Sequence, residues 1–518
     1  MNDKYIAITI GPIYKVTAMA KSTKAQWASS YFFSYLAKCI ISPFKTREFV
    51  LPIVDDSRLW YVINEDNIVE KDRLKAGERG MIGRFPDRFI FKSKLDDLTL
   101  LKDKIIESLE RIGREIGAFL KDNGYHKVDE TEVVAYLRNY MKVFFFEKGA
   151  ETDNIVDECN SILDVLELQG SYCLEEPYNY FEQFFENEKL YKSFLVKEAL
   201  GQSDIRKQLF ESLDRISGKE LIEDKEHKLK KMAYHNYIAI ISADGDNMSK
   251  TIAGLLQNNQ SVQLLSKKLL EFGESLFDEI CESFGAKIIF IGGDDLLIYA
   301  PVIYKGKNIF DLIKKISEVF DGVMNDFMPK PTLSLGVSVT YEKFPMGEAL
   351  HLSNELLGKA KNKERHPEKN TVALSVQRHS GQTFGIEIEK DSPLFELVLN
   401  LISEFVSDDA NLISSIIYWL ENNFRILSII LSGNESDKEK TTRLDNYFTN
   451  SFDEPVHENL QPFFCSLYEF MIEAQKLFSD KGITVEDASD KDKFSHPVFQ
   501  LSSVLRFIHF VKIEKDEI

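Results

Sequence analysis

The chain is poor in everything from which a disulfide or zinc scaffold is built. Its 518 residues include only five cysteines (Cys39, Cys159, Cys173, Cys281 and Cys465), and no two form a CxxC pair. That scatter excludes a disulfide framework and a zinc ribbon or finger. Nine histidines are dispersed without an HExxH or a His-Asp dipeptide, so a histidine-rich metallohydrolase site has no seat. No run approaches 18 consecutive apolar residues, and the N-terminus lacks an apolar block with a cleavage site. A cytoplasmic protein without membrane attachment is expected. Positive charge is scarce too: 64 Lys and Arg face 83 Asp and Glu, for a net charge of -19. A surface that grips bare nucleic acid by its phosphates is usually basic, so contact with RNA is expected through partner subunits or a local groove.

What is present is ordinary globular material, 44% apolar and 28% charged. Single cores stop growing near roughly 250–300 residues, so a chain this long divides into several units. Residues 1–150 alternate strand and helix signals. A β-branched run at Tyr5–Ile10 is closed by Gly11-Pro12, and helical spacing covers Ile13–Ile41. Strands are expected at Phe49–Val54, Leu59–Ile63, Phe89–Phe91 and Val143–Phe146, with helices at Leu98–Asn123 and Glu130–Tyr140. Residues 151–231 read as a charged helical insert, and residues 386–518 as a helical domain with long periods at Phe395–Val406 and Leu412–Leu431. No repeat of solenoid length occurs.

Residues 232–385 carry the sharpest pattern. A strand at Tyr237–Ile241 runs into Ala243-Asp244-Gly245-Asp246-Asn247-Met248, and a helix follows over about residues 261–284. Two apolar strands, Lys287–Ile291 and Leu296–Ala300, flank Gly292-Gly293-Asp294-Asp295, a hairpin turn led by glycine. Then come a helix at Ile309–Phe327, a strand at Thr332–Thr340, a helix at Gly347–Asn362 and a strand at Thr371–Val376. Strand, helix, hairpin, helix, strand is the split βαβ order of a ferredoxin-like palm. The fold class is therefore α+β.

That order sends Asp244, Asp294 and Asp295 toward one rim of a sheet, because the first strand lies beside the hairpin. Three carboxylates brought together repel, and a divalent cation removes the conflict. Oxygen donors without His or Cys suit Mg²⁺ or Mn²⁺, two of which serve in-line phosphoryl chemistry. Asp244, Gly245 and Asp294 are the candidate metal ligands, and Asp294 and Asp295 the candidate catalytic residues. Gly292 and Gly293 allow positive φ and keep side chains from the nucleotide. The amides of Gly245, Asp246, Asn247 and Met248, at the next helix start, are placed to cradle a triphosphate. Lys359 and Lys361, late in the Gly347–Asn362 helix, are candidate phosphate cations, although a lysine there also serves the helix dipole. Asp-Gly-Asp-Asn alone would be a loop. It fails the EF-hand pattern, with Ser249 at the sixth position and Leu255 at the twelfth. Gly-Gly-Asp-Asp alone would be an exposed turn; the pair at matched strand ends specifies a nucleotidyltransferase.

These residues together resemble the large, polymerase/cyclase subunit of type III CRISPR effector complexes. The resemblance to the Cmr (III-B) branch extends to Ile10-Gly11-Pro12, Ala18–Tyr31, Pro86-Asp87-Arg88-Phe89, and Leu335–Ser338 through Leu356–Lys361 to Arg378–Gly381. It implies two packed palm domains, nucleotide cyclase-like in fold, a helical insert, and a C-terminal helical domain facing small subunits. It implies ATP as substrate and cyclic oligoadenylate as product, made once guide RNA, target RNA and the other Cmr-type subunits are assembled. Asp244 and Asp294 would ligate the two ions with help from the Gly245 carbonyl, Asp295 would complete the site, and Lys361 would touch phosphates. The first palm lacks a matching acidic turn, so a structural role or help with a second nucleotide is expected. The chain departs from many members in having no HD nuclease dyad and no cysteine zinc site, and no DNA cleavage is expected. Two further functions compete: AMP transfer to an acceptor such as S-adenosylmethionine, and a catalytically idle scaffold. A stand-alone cyclase making a guanine messenger is disfavoured by the two palm-like halves.

Overall fold

The computed structural model describes residues 3–54, 83–124, 128–151, 154–168, 180–186, 212–224, 229–258, 260–405, 410–451, 460–480 and 496–512. The strand expected at Leu59–Ile63 and Cys173 lie outside these.

Two sheets carry the molecule, and both have the same strand logic. In the first palm, β1 (Lys4–Gly11), α1 (Ile13–Ala18), α2 (Thr23–Ile41), β2 (Phe49–Leu51), β3 (Arg88–Lys92), α3 (Asp97–Asp122), α4 (Glu130–Tyr140) and β4 (Lys142–Gly149) follow in order. The sheet runs β2-β3-β1-β4, antiparallel throughout. The expected helix at 13–41 is two helices, because Ser22 caps α2 by accepting from the Ala25 amide at 3.2 Å. Along β1, Ile6, Ile8 and Ile10 enter a core with α2 and α3, while Ala7 faces the second palm's core. Both faces are covered, which explains an uninterrupted apolar run instead of alternation.

Helices α5 (Ile155–Leu168), α6 (Tyr180–Glu186), α7 (Leu213–Ser217) and α8 (Lys219–Glu223) link the palms. The second palm holds β5 (Tyr237–Asp246), α9 (Met248–Gln257), α10 (Gln263–Ile280), β6 (Lys287–Gly292), β7 (Asp295–Pro301), the short pair β8 (Ile303–Tyr304) and β9 (Lys307–Asn308), and α11 (Ile309–Met324). After these come β10 (Thr332–Tyr341), α12 (Met346–Ala360), β11 (Thr371–Gln377) and β12 (Thr383–Glu389). Its sheet order is β12-β11-β10-β5-β7-β6. Strands β10-β5-β7-β6 of this sheet repeat the order of the first, β4-β1-β3-β2, the ferredoxin-like arrangement.

β5 sorts its side chains strictly by parity. Ile238 and Ile240 pack with Ala349 and Leu350 of α12, whereas Ala239, Ile241 and Ala243 join the core beneath α10 and α11. The palms meet where the Ile291 amide donates to the Gly83 carbonyl at 3.1 Å and Arg84 pairs with Glu274. The C-terminal helices α13 (Pro393–Glu404), α14 (Ala410–Asn422), α15 (Phe424–Ser432), α16 (Asp437–Thr449), α17 (Gln461–Asp480) and α18 (Pro497–Lys512) extend the second palm's core. Phe507 and Phe510 of α18 meet Phe310 and Tyr237 edge-on at 5.1 and 4.8 Å. Among the described residues no helix is long and apolar enough to cross a membrane.

Candidate functional site

The acidic motifs meet where a side chain is missing. A Cβ built on Gly245 would lie 2.6 Å from Asp294 Oδ2 and 3.1 Å from Met248 Cγ. Glycine thus lets the hairpin carboxylate rest on the backbone of β5. Gly293 takes φ +83° at the turn, which an L side chain resists. Gly292 does not share that positive φ, contrary to expectation; it is glycine because a side chain there would strike the Phe290 ring.

The rim is shared, but the faces are not. β5 extends through Asp246, beyond the expected end at residue 241, so alternation still governs its last residues. Gly245 points its face at Asp294; Asp244 and Asp246 therefore project from the opposite face, where Ser242 hydrogen-bonds Ser353 of α12 at 2.9 Å. Among the described residues no group of three or more His, Cys, Asp or Glu side chains is set to hold a metal ion. The expected convergence of three carboxylates into one cage is corrected accordingly.

A cation does occupy half of the anticipated donor set. Lys361 Nζ donates to the Asp244 carboxylate, and to the Gly245 carbonyl at 2.9 Å. Its ammonium is the stand-in for an ion on those two oxygen donors. Burial, and after it the neighbouring Lys369, bring Lys361 down to about 7. On the other face the acids lack such relief. Burial raises Asp294 to about 6, with repulsion from Asp87 and Asp246 added. Asp295 rises through desolvation and through Asp294 and Asp87, though water at the exposed hairpin tip tempers its rise. Crowded, protonation-prone oxygens are the condition that a divalent ion relieves, so the donor chemistry fits an oxygen-seeking ion even without a preformed cage.

Asp246 is wholly buried. Its Oδ2 accepts from Ser334 Oγ at 2.7 Å, Thr332 Oγ1 at 3.1 Å and the Asn370 amide at 3.1 Å. Asn247 adopts φ +59° and opens α9, and Met248 reaches the cavity beside the hairpin. Lys359 is not brought to the site; it is exposed, and its charge acts on Glu387.

A cavity of about 330 Å³ lies between the palms. Gly292, Gly293, Asp294 and Asp295 line it with Met248, Ile252, Leu265 and Leu269 from the second palm, and Leu51, Arg84, Asp87 and Arg88 from the first. Sequence reasoning quoted Asp87 and Arg88 as a motif but gave them no role. Arg88 is tied to Asp164 at 2.6 Å and Glu167 at 3.0 Å on α5, and half-burial pushes the Asp87 carboxyl up.

Two family models match the chain. One described as Cas10/Cmr2, second palm domain, covers residues 237–373, and one described as CRISPR-associated protein Cmr2, N-terminal, covers residues 5–118. Among solved structures, a Csm1-Csm4 cassette in complex with cA4 is 11% identical, with a TM-score of 0.53 over 98% of this chain and 70% of that chain. The same cassette with pppApApA is 11% identical, with a TM-score of 0.53 over 98% and 69%. A type III-B Cmr-beta complex bound to cognate target RNA gives 12% identity and a TM-score of 0.52 over 84% and 77%. These likenesses establish the fold. No curated protein sequence matches the chain.

Proposed function

We propose, from the matches to the Cas10/Cmr2 second palm over residues 237–373 and to the Cmr2 N-terminal model over residues 5–118, that the chain is a member of that family and that its second palm is an RNA-activated nucleotidyltransferase that converts ATP into cyclic oligoadenylate. It acts as a subunit of a type III-B effector holding guide RNA and target RNA. One observation carries the reading: Asp294 rests on Gly245 at the rim of a cavity walled by both palms, while Asp244 and the Gly245 carbonyl face a lysine ammonium. Solved relatives that hold cA4 and pppApApA support it.

Asp244 with the Gly245 carbonyl, and Asp294 from the hairpin, would hold Mg²⁺ or Mn²⁺ at two places rather than in one shared cage. Bound there, such ions would supply Lewis acidity to the acceptor hydroxyl and would neutralise charge on the leaving pyrophosphate. The protein's own groups do the rest. Met248, Ile252, Leu265 and Leu269 form the apolar wall against which an adenine packs and from which water is excluded. The first amides of α9 point toward phosphate oxygens. Lys361 shifts from Asp244 to the phosphates. The acceptor oxygen then bonds the α-phosphorus, the bond to the β-phosphate's bridging oxygen breaks, and pyrophosphate departs. Asp295, open to solvent and with raised proton affinity, takes the hydroxyl proton.

The assembled complex, given guide RNA, target RNA, ATP and Mn²⁺, should yield cyclic oligoadenylate by mass spectrometry. Addition of S-adenosylmethionine tests the competing acceptor, and an AMP adduct would replace the ring-forming reading. Asp294→Ala with Asp295→Ala should abolish product while leaving assembly intact; no product from the unaltered complex would leave a scaffold.

A further inference from the structure

Lys369 and Asn370, in the turn between α12 and β11, are consecutive non-glycine residues with φ +59° and +48°. Left-handed backbone is unfavourable for lysine and persists only when its surroundings impose it. Here they do. The Lys369 amide donates to the His366 carbonyl at 2.9 Å, Thr371 Oγ1 donates to the Lys369 carbonyl at 2.7 Å, and the Asn370 amide donates to Asp246 Oδ2 at 3.1 Å. The product of this turn is the position of one ammonium group.

Asp246 divides its two oxygens between two tasks. Oδ2 holds the turn and β10, as described above. Oδ1 is buried without a hydrogen bond and faces Lys361 Nζ at 4.0 Å and Lys369 Nζ at 3.9 Å. At that distance neither ammonium is hydrogen-bonded to it, so the carboxylate places Lys369 without satisfying its three donors. Two cations therefore flank one carboxylate beside the Asp244–Gly245 donors and the start of α9. An ion taking Asp244 and the Gly245 carbonyl would release Lys361, and the local charge would become strongly positive. A compact group with several negative charges matches it; a nucleoside or monophosphate does not.

We propose that Lys369 is a second polyphosphate-binding residue of this palm, and that Asp246 is a positioning residue acting through it. The inference rests on the nucleotidyltransferase reading and deepens it. In a transfer step the two lysines hold the β- and γ-phosphates, the part that leaves as pyrophosphate, so their effect scales with phosphate number.

The test is calorimetric binding to the full-length chain in Mn²⁺, using a non-hydrolysable ATP analogue and AMP. Lys369→Asn removes the charge but tolerates the left-handed backbone. It should lower affinity for the analogue about 10- to 100-fold, change AMP affinity by less than about twofold, and leave the melting temperature equal or higher. Lys369→Arg should keep analogue affinity within about fivefold of wild type. Unchanged analogue affinity in Lys369→Asn, or an equal loss for AMP, overturns the assignment. Asp246→Asn combined with Lys369→Asn should lose less than the product of the single losses; multiplicative losses overturn the positioning role. A wild-type chain that binds neither ligand overturns both this inference and the reading beneath it, whereas wild-type binding with an inert Lys369→Asn overturns the inference alone.

Discussion

Gly245 sets how closely the acid of one strand pair approaches the backbone of another. A methyl group there would sit 2.6 Å from Asp294 Oδ2, so Gly245→Ala displaces the hairpin carboxylate by about an ångström. Misplacement of that size costs about 100-fold in rate, while the added methyl destabilises the fold by about 1–3 kcal/mol. Product formation by Gly245→Ala should therefore fall far more than its melting curve shifts; normal turnover would detach Asp294 from the chemistry. His496 is a residue with a different consequence. Its Nδ1 accepts from the Val498 amide at 3.2 Å, so Nε2 carries the proton and donates to Ser428 Oγ, 2.9 Å away. Burial depresses this imidazole to about 4. The unfolded chain, with its histidine near 6.5, then binds the proton first as pH falls. Stability supplied by the neutral ring is complete above about pH 6.5 and drains away toward pH 4, by up to about 1.4 kcal/mol per pH unit within that window. Urea melts across this range should show the slope, and His496→Gln should flatten it at the price of a lower plateau.

At the scale of elements, α12 is held against the sheet by an absent side chain of another kind. A Cβ on Gly336 of β10 would land on the Ser353 carbonyl and the Leu357 amide of α12, so helix and strand touch backbone to backbone. Lys361 follows directly on α12. Gly336→Ala must lift the helix, with an expected loss of about 1–3 kcal/mol, and must carry Lys361 off Asp244 as it does so. Denaturation and nucleotide binding measured on the same variant should fall together; a stable variant with intact binding would mean that α12 does not set the lysine. The order of these elements was legible in the residues, since apolar period and turn chemistry marked β5, the hairpin, α11, β10 and α12. The opposed faces of Asp244 and Asp294 were not, because ending β5 at Ile241 hid the alternation that continues through Asp246. β12 is weakly marked in the sequence: Phe384, Ile386 and Ile388 alternate correctly, but the strand follows the polar Arg378–Gly381 turn and spans only seven residues. Lys369 had no signal: its importance lies in a backbone angle and in a buried carboxylate far away in sequence.

Across the whole molecule, two palms with the same strand order pack so that the first, which has no Gly-Gly-Asp-Asp sequence of its own, walls the site of the second. Asp87 reaches the cavity from the segment entering β3, and its charge raises both Asp294 and Asp295. The segment is fixed by the Ile10 amide donating to the Asp87 carbonyl at 2.9 Å, and by Arg88 gripping α5. A carboxylate held there adds negative potential where ions are to be bound, and it does so from the other domain. If the first palm is only a support, removing that charge leaves the ion requirement untouched. If it completes the electrostatics of the site, Asp87→Asn raises the half-saturating Mn²⁺ concentration by roughly 3- to 10-fold, the effect expected of one charge at partly screened range. Turnover at saturating Mn²⁺ should stay within about threefold of wild type, because the hairpin acids are unchanged. An Mn²⁺ titration that superimposes on wild type would confine the first palm to a structural part, since the Asp87 charge, which raises both hairpin acids, would then have no effect on the ions they bind.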